Sequence, residues 1–122
     1  MRKTIKAFKV LSDETSLRVM SLVLQRECCV CEVMQALEIS QSKASRHLSA
    51  LYDAGFLKLR KDGLWSLYSV DYEGMKEYQN DMVDVVRKAM KGNKVVARDT
   101  ERLTKVKRKI LNGTDAVCVN EQ

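Results

Sequence analysis

Proline is absent from this chain of 122 residues, so the ends of its helices must be marked by glycines and capping side chains. The chain has one histidine, His47, and a metal site built on histidines is therefore not favoured. No apolar run approaches the roughly 18 residues of a membrane helix, and no secretory signal follows Met1. We expect a cytoplasmic protein with no membrane partner.

The composition describes a globular chain with an excess of positive charge. Apolar residues make up 45% of the sequence and its length suits a single domain. The net charge of +6 favours nucleic acid or an anionic membrane surface as a partner, although charge alone decides neither. The sequence has no nucleophile–base pair, phosphate loop or pocket-forming βα unit, so we expect no enzymatic activity.

Helical periodicity predicts a mainly α-helical fold with one small β-hairpin. A short first helix precedes a second, which Ser12 or Asp13 caps. The strand residues "FLKLRKDGLWSLYSV" alternate about Asp62-Gly63, which predicts a type I′ hairpin turn. The further predicted helices cover residues 30–37, 41–54, 71–91 and 96–111, and the last is basic and followed by a frayed tail. We divide the chain into a DNA-binding and dimerisation domain, 1–92, and a C-terminal segment, 93–122.

A helix pair followed by a hairpin predicts a winged helix-turn-helix, whose second helix enters the major groove of double-stranded DNA. With Ala44, Leu48 and Leu51 packed inward, the other side of that helix presents hydroxyls, an amide and cations suited to bases and phosphates. His47 is expected at the helix edge, bonded to a phosphate or the backbone. A solvated helix face and a protein-interaction module are the alternatives. The predicted DNA-binding residues are Gln41, Ser42, Lys43, Ser45, Arg46, His47, Ser49, Lys58, Arg60 and Lys61.

A narrow apolar stripe on the helix predicted at 71–91 is typical of helices that pair with a copy of themselves. A homodimer would also place two recognition helices one turn of DNA apart. Packing of the stripe on the chain's own core is the alternative. The predicted interface residues are Met75, Tyr78, Met82 and Val85.

Three of the four cysteines lie in "ECCVCE", at Cys28, Cys29 and Cys31. In a reducing cytosol, clustered thiols indicate metal binding or redox chemistry more than structural disulfides. Soft centres such as trivalent arsenic prefer thiolates, and a helix N-terminus lowers a thiol's pKa. Tetrahedral zinc would use Cys28, Cys29, Cys31 and Cys118. Burial as small apolar residues and reversible thiol oxidation are the alternatives.

The stretches "LSDETSLRVMSLV", "ECCVCEV", "SQSKASRHLSAL" and "AGFLKLRKDGLWSLY" resemble the arsenic-responsive (ArsR/SmtB) family of bacterial transcriptional repressors over residues 3–92. The resemblance implies a homodimeric winged-helix repressor, paired through its terminal helices, that arsenite or antimonite releases from operator DNA. Zinc or cadmium is the less favoured inducer, since the long helix lacks the histidine of the family's Asp–His zinc site.

Within this resemblance, Cys29 and Cys31 match the family's pair of arsenic ligands, while Met34 stands where a third cysteine often lies. Cys28 and Cys118 are the candidates for the third ligand, and the choice between them stays open. Because residues two apart point to different faces of a helix, we expect an ion on Cys29 and Cys31 to bend or unwind the first turn. That distortion would misplace the recognition helix packed against it.

Overall fold

The computed structural model describes residues 1–111, 113 and 115–120. Most of the chain is helical, and the strands form a three-stranded sheet and a separate two-stranded sheet. The expected mainly α fold with a β wing is confirmed. The elements are α1 (Arg2–Leu11), α2 (Glu14–Val23), β1 (Cys28–Cys29), α3 (Val30–Leu37), α4 (Gln41–Asp53), β2 (Leu57–Asp62), β3 (Trp65–Val70), α5 (Glu77–Met90), α6 (Lys94–Lys105), β4 (Val106–Leu111) and β5 (Asp115–Asn120).

Polar side chains cap the N-termini of α2 and α4. Asp13 caps α2 by accepting a hydrogen bond from the Ser16 amide at 3.1 Å, and Ser40 caps α4 by accepting one from the Lys43 amide at 3.1 Å. Just past α4, Gly55 has a φ of +90°, a conformation that glycine adopts without strain. These positions confirm the predicted start and end of the recognition helix α4.

The main core lies between α2, α3, α4, α5 and the base of the β2–β3 hairpin, which is the wing, and α1 and α6 each add one buried residue to it. Ala44, Leu48 and Leu51 are fully buried, as the periodicity of α4 predicts. Phe56, between α4 and β2, is the largest fully buried side chain of this core. Its packing fixes the angle at which the wing leaves α4, because closely packed interiors leave little freedom to shift.

The wing differs from the predicted hairpin in two respects. Asp62 pairs with Trp65, so the turn residues are Gly63, with a φ of +60°, and Leu64, one position later than predicted. A third strand, β1, also joins the wing, since Cys29 pairs with Leu67 and the strand order is β1-β3-β2. The cysteine segment is therefore part of the wing sheet as well as the start of α3.

The helix predicted at 71–91 begins later, at Glu77. Residues before it form a turn, in which the Asp71 carboxylate accepts a hydrogen bond from the Gly74 amide at 3.1 Å. Met75 therefore precedes α5 and is buried in the chain's own core. The turn forms because an aspartate can bond the backbone three residues on and so compete with a helix.

The prediction of a basic helix to residue 111 is wrong, as is that of a frayed tail over residues 115–120, while residues 112, 114, 121 and 122 of that predicted tail lie outside the described residues. Helix α6 ends at Lys105, and Val106 has the extended backbone of a strand, with φ −85° and ψ 129°. Strands β4 and β5 then form an antiparallel hairpin, in which Arg108 pairs with Cys118. Val106 is buried beside Cys29, and this contact favours a strand whose alternate residues face the body of the protein.

A buried carboxylate joins α6 to the rest of the fold. Asp99 is fully buried and accepts hydrogen bonds at 2.8 Å from both Arg18 on α2 and Arg102 on α6. The same two guanidinium groups donate to the carbonyls of Leu37 and Ala36 at the end of α3. The network holds the C-terminal segment against α2 and α3 and satisfies a charge that would otherwise be costly to bury.

Candidate thiol site and nucleic-acid interface

Three sulfur atoms meet where α3, the wing and the C-terminal hairpin adjoin. The Cys29 Sγ lies 3.4 Å from the Cys31 Sγ and 3.8 Å from the Cys118 Sγ, and a disulfide joins Cys31 to Cys118. Cys29 is the N-cap of α3 with extended backbone, φ −93° and ψ 169°, while Cys31 lies in the first turn. Because Cys29 stands outside the helix, the two side chains converge without unwinding it. That an ion on Cys29 and Cys31 bends or unwinds the first turn of α3 stays a prediction, and the 3.4 Å between the two sulfurs is the distance from which such a change would start.

The spacing of these sulfurs suits a shared ion once the disulfide is reduced. Thiolates about 2.3 Å from one ion lie roughly 3.5–3.8 Å apart, close to the distances seen from Cys29. Among the described residues, the cluster of possible metal ligands here consists of Cys29, Cys31 and Cys118. Three sulfurs match a pyramidal, three-coordinate centre and fall one short of tetrahedral zinc.

Cys28 does not belong to this cluster. Successive side chains of a strand point to opposite faces, so Cys28 enters the main core, where it is fully buried, while Cys29 faces the hairpin. The Cys28 thiol donates to the Arg26 carbonyl at 3.4 Å, and burial raises its pKa to about 12. Its prediction as an ion ligand is not supported by this placement, and its role is that of a small apolar core residue.

Three charged side chains, those of Arg26, Glu32 and Arg108, lie near the sulfurs. The buried Glu32 carboxylate accepts a hydrogen bond from the Cys29 amide at 2.9 Å and is paired with Arg26 at 2.9 Å. Arg108 of β4 lies 3.9 Å from the same carboxylate. Burial raises the pKa of the Cys29 thiol to about 11, and hydrogen bonds from the Glu32 and Cys31 backbone offset only part of that rise. At neutral pH the free Cys29 is thus a thiol, contrary to the low pKa expected from a helix N-terminus.

The hairpin that carries Cys118 is fastened to both α3 and the wing. Gln35 of α3 donates to the Cys118 carbonyl at 2.6 Å. The Arg108 guanidinium stacks over the Trp65 ring of β3, with 5.7 Å to the ring centroid. Cys29, Cys118, Leu67 and Val106 form a small buried cluster of their own, separate from the main core. The sulfur site therefore adjoins α3, the sheet strands β1 and β3 and the C-terminal hairpin.

Helix α4 presents the predicted DNA-reading side chains on its outer face. Gln41, Ser42 and Arg46 are exposed, while Lys43, Ser45 and Ser49 are half-buried. In the part of the chain that the structure describes, no carboxylate lies within ion-pairing distance of Lys43 or Arg46. These two cations are therefore available to an anionic partner.

His47 faces inward from this surface. Its Nδ1 lies 3.0 Å from the Ser16 hydroxyl on α2 and 3.9 Å from the Asp13 carboxylate. Burial lowers the His47 pKa, with Asp13 opposing the effect. The Nδ1 contact with Ser16 ties α4 to α2, and the bond from His47 to a phosphate stays a prediction.

The wing's cations differ in their availability. Arg60 is held by two hydrogen bonds to the Glu27 carboxylate, at 2.7 and 2.8 Å, and this pairing lowers the pKa of Glu27. Lys61 donates to the Ser66 hydroxyl at 2.5 Å, and Lys58 is exposed. Arg60 therefore couples the wing to the residue before Cys28, a role different from the phosphate contact predicted for it.

The apolar stripe of α5 borders an open groove. Phe8 is 60% exposed and Val85 63% exposed, and Tyr78 and Met82 are half-buried. A groove of about 350 Å³ lies between α1, the start of α2 and α5. Three of the four predicted interface residues thus border the surface, while Met75 does not. The groove is lined by Phe8, Leu11, Ser12, Leu17, Met82, Val85, Val86, Ala89 and Met90.

The sequence reading missed the hairpin that delivers Cys118. Its signal was present, because Asn112-Gly113 is a strong hairpin dipeptide and "DAVCVN" is rich in strand-forming residues. Asp99 was missed as well, since nothing near it in sequence shows that Arg18, 81 residues away, would reach it. The coupling of Glu27 to Arg60 is equally non-local.

The fold and these residues together define a winged helix-turn-helix domain with a cluster of three cysteines beside its wing. Residues 13–64 match the model of the family described as "Bacterial regulatory protein, arsR family". Over 83 residues the chain is 42% identical to the arsenic resistance transcriptional regulator ArsR2 of Pseudomonas putida, covering 67% of this chain and 71% of that protein. The chain belongs to the arsR family, and the resemblance to its arsenic-responsive branch is confirmed. The expectation of no enzymatic activity agrees with a family of regulatory proteins.

Other relatives share the same central region. The chain is 46% identical over 67 residues to ArsR1 of Pseudomonas putida, covering 54% of this chain and 52% of that protein. It is 41% identical over 73 residues to a cadmium resistance regulatory protein CadC homolog of Staphylococcus aureus, covering 59% and 60%. The chain thus spans about half the length of some curated relatives it matches.

A solved structure of a Mycobacterium bovis protein has the same fold. That fragment of Mb0332 is described as a homodimeric winged helix-turn-helix DNA-binding domain. It is 20% identical, has a TM-score of 0.62, and the match covers 76% of this chain and 82% of that chain.

None of the helices in the described part of our chain has the length and apolar character needed to cross a bilayer.

Proposed function

We propose that this protein is a homodimeric repressor of the bacterial cytoplasm that binds double-stranded operator DNA and leaves it on binding arsenite or antimonite. The observation that carries the proposal is the convergence of Cys29, Cys31 and Cys118, drawn from three elements onto one point. A trithiolate pyramid is the coordination that trivalent arsenic takes. In this proposal Cys118 is the third ligand and Cys28 is not a ligand.

The buried Cys29 thiol, whose pKa burial raises to about 11, favours arsenite over a divalent cation. Arsenite is an uncharged hydroxide, so three thiol protons leave with its three hydroxides as water and the product has no net charge. A divalent cation on the same three sulfurs would release protons from thiols such as Cys29, whose pKa is about 11, and leave a buried negative charge beside Glu32. Antimonite has the same chemistry as arsenite.

Cadmium or zinc remains the second candidate inducer because one relative is a cadmium resistance regulator homolog. A tetrahedral ion would need a fourth donor in addition to Cys29, Cys31 and Cys118. Water or a ligand from solution could fill that position. We therefore expect cadmium or zinc to bind this site with lower affinity than an ion that requires three sulfurs.

The route to DNA runs through shared strands. An ion between Cys31 and Cys118 sets the distance between α3 and the hairpin, and its bond to Cys29 acts on β1. Strand β1 is paired to β3 of the wing, and Glu27 beside it is bonded to Arg60 of β2. A change at the sulfurs therefore moves the wing relative to α3 and α4, whose joint geometry must fit DNA.

Dimerisation in this proposal uses the groove between α1 and α5. More than half of the surface of both Phe8 and Val85 is exposed to solvent, which is unusual for large apolar side chains that lie side by side. A second copy of the chain would cover both and place two α4 helices on one face. The apolar stripe residues Tyr78, Met82 and Val85 would contact the partner, with Met75 supporting them from the core.

The decisive experiment measures release of a fluorescent operator fragment while arsenite is titrated into reduced protein. Cys29→Ser, Cys31→Ser and Cys118→Ser should each bind the operator as the wild type does yet resist release, because serine offers no soft thiolate at neutral pH. Cys28→Ala is the matched control and should respond like the wild type.

Two results would contradict the proposal. If Cys118→Ser is released at the wild-type arsenite concentration, the hairpin does not supply a ligand. If the Cys29→Ser, Cys31→Ser double variant is still released, the sulfur site is not the sensor.

A further inference from the structure

We infer that the Cys31–Cys118 pair is also an oxidant-sensing site, whose disulfide gives a form of the repressor that stays on DNA and ignores arsenite. The inference rests on the proposed function, since it concerns regulation of the same site. Its starting point is that two of the three sulfurs that would hold arsenic are joined to each other in the structure. A sulfur in a disulfide carries no thiolate, so oxidation removes two donors at once.

The two sulfurs of the pair differ in their access to solution. Cys31 is half-buried on the outer side of α3, whereas Cys118 is 8% exposed beneath the hairpin. Small oxidants and external thiols therefore meet Cys31 first. Cys118, held in place by the Gln35 bond to its carbonyl, then acts as the resolving thiol. An exposed reactive sulfur beside a resolving one is the usual arrangement of a redox-sensing pair.

The chemistry balances with a hydroperoxide as the oxidant. The Cys31 thiolate attacks the peroxide, becomes a sulfenic acid and releases the alcohol, or water from hydrogen peroxide. The Cys118 thiol then displaces water from that sulfenic acid, which forms the S–S bond. In the reverse direction a low-molecular-weight thiol attacks the Cys31 sulfur, Cys118 leaves as a thiolate and takes up a proton. A second thiol molecule then frees Cys31 and carries away the disulfide.

The oxidised form keeps the features needed for DNA binding. With the disulfide in place, α3 retains its first turn and the Glu32 carboxylate still caps the Cys29 amide at 2.9 Å. The Arg46 surface of α4 and the wing stand in their winged-helix arrangement. The disulfide also clamps β5 to α3, so it opposes the separation that an ion between the two sulfurs would require.

The location proposed for the protein argues for a regulatory bond. Disulfides in a reducing cytoplasm are usually transient and serve catalysis or redox sensing, whereas structural ones belong to oxidising compartments. The main core of this chain packs without the disulfide, and Cys31 and Cys118 lie in the smaller second cluster. Reduction should therefore leave the fold intact and change only the hairpin's attachment.

The test compares two forms of the full chain, one reduced and then freed of reductant, the other treated with hydrogen peroxide. Peptide mapping should find residues 31 and 118 cross-linked in the oxidised form. Operator affinity should agree within about twofold between the forms, while half-release of oxidised protein should need at least about tenfold more arsenite, because two of three soft donors are lost. Re-reducing the oxidised sample should restore the arsenite response, and Cys28→Ala should behave as the wild type throughout.

The inference is overturned if oxidised protein leaves the operator at the arsenite concentration that releases reduced protein, or if oxidation itself abolishes operator binding. It is also overturned if reduction unfolds the protein, measured by circular dichroism, since the bond would then be structural. A reduced wild type that ignores arsenite contradicts the proposed function instead. In that case the redox pair is judged by whether the 31–118 cross-link forms and reverses in glutathione buffers with the operator still bound.

Discussion

The body of the protein, residues 1–90, and its C-terminal segment, residues 94–120, divide two tasks. The body contains the recognition helix, the wing, the proposed dimer groove and all but one of the buried residues of the main core, to which the C-terminal segment adds Leu103. The C-terminal segment adds one sulfur, Cys118, and reaches its place through Asp99 and the Gln35 bond. In the proposed function, DNA reading thus belongs to one region, and sensing arises where the two regions meet. Variants that affect one task and spare the other test this division.

The largest effect is expected from a charge in the proposed dimer groove of the body. Met82→Lys would place an ammonium group against apolar residues of a second copy, which should weaken the free energy of dimerisation by roughly 3 kcal/mol or more. We therefore expect monomers with reduced operator affinity. Sedimentation and operator titration measure the two consequences. Asn80→Lys, on another face of α5, is the control and should remain dimeric. A wild type that is monomeric at micromolar concentration would remove the basis of this prediction.

Asp99→Ala should separate the two regions. Removing this carboxylate leaves Arg18 and Arg102 without their shared partner, and because both guanidinium groups are partly exposed we expect a loss of about 2–4 kcal/mol of unfolding free energy. The folded fraction should bind the operator normally yet need more arsenite for release, since Cys118 is held less firmly. Urea unfolding and arsenite titration provide the measurements. Glu101→Ala, which breaks only an exposed pair, is the control, and an equal loss in both variants would count against the role given to Asp99.

Arg46→Ala should affect the body's task alone. We expect operator binding to weaken by roughly 1–3 kcal/mol if the guanidinium contacts a base. Arsenite binding by the reduced protein should not change. Comparison of operator with random DNA gives the measurement, and equal losses on both would make Arg46 a phosphate contact.

The smallest effect concerns pH. Because arsenite exchanges hydroxide for thiol protons without net release, its affinity should change by less than about twofold over one pH unit near neutrality. Cadmium binding releases protons and should tighten by about tenfold per pH unit for each proton released, since the Cys29 thiol stays protonated until a pH near its pKa of about 11. Isothermal titration at two pH values separates the ions. A steep pH dependence for arsenite would show that the thiols are already ionised.

The sequence allowed the body to be predicted because its signals are local. Ser40 and Gly55 mark the ends of α4, and the alternation of β2 and β3 predicts the wing. The errors inside the body are shifts of a few residues, such as the late start of α5. There a side-chain bond from Asp71 outweighs helical periodicity.

The C-terminal segment and the sulfur site were harder because they depend on distant contacts. Cys118 was one of two candidates for a third ligand, and only the hairpin's packing on α3 distinguishes it from Cys28. The position of Cys28 itself follows from β1 joining the wing sheet, a pairing with residues about 40 positions later. Sequence patterns do not reveal such pairings. The residue types therefore predict that the cysteines could bind an ion, but not which of them lie close together.

The sequence separation of 87 between Cys31 and Cys118 has a consequence for the order in which a newly made chain acquires its properties. Domains fold from the N-terminus as synthesis proceeds, and the body contains its own core before Cys118 leaves the ribosome. In the proposed function, a chain cut short within β4 or β5 would therefore hold its operator while lacking the Cys118 sulfur needed for release. In genetic terms, frameshifts in the codons for β4 and β5 should behave as dominant, uninducible alleles, whereas frameshifts in the codons for α1 to α5 should be simple losses of repression.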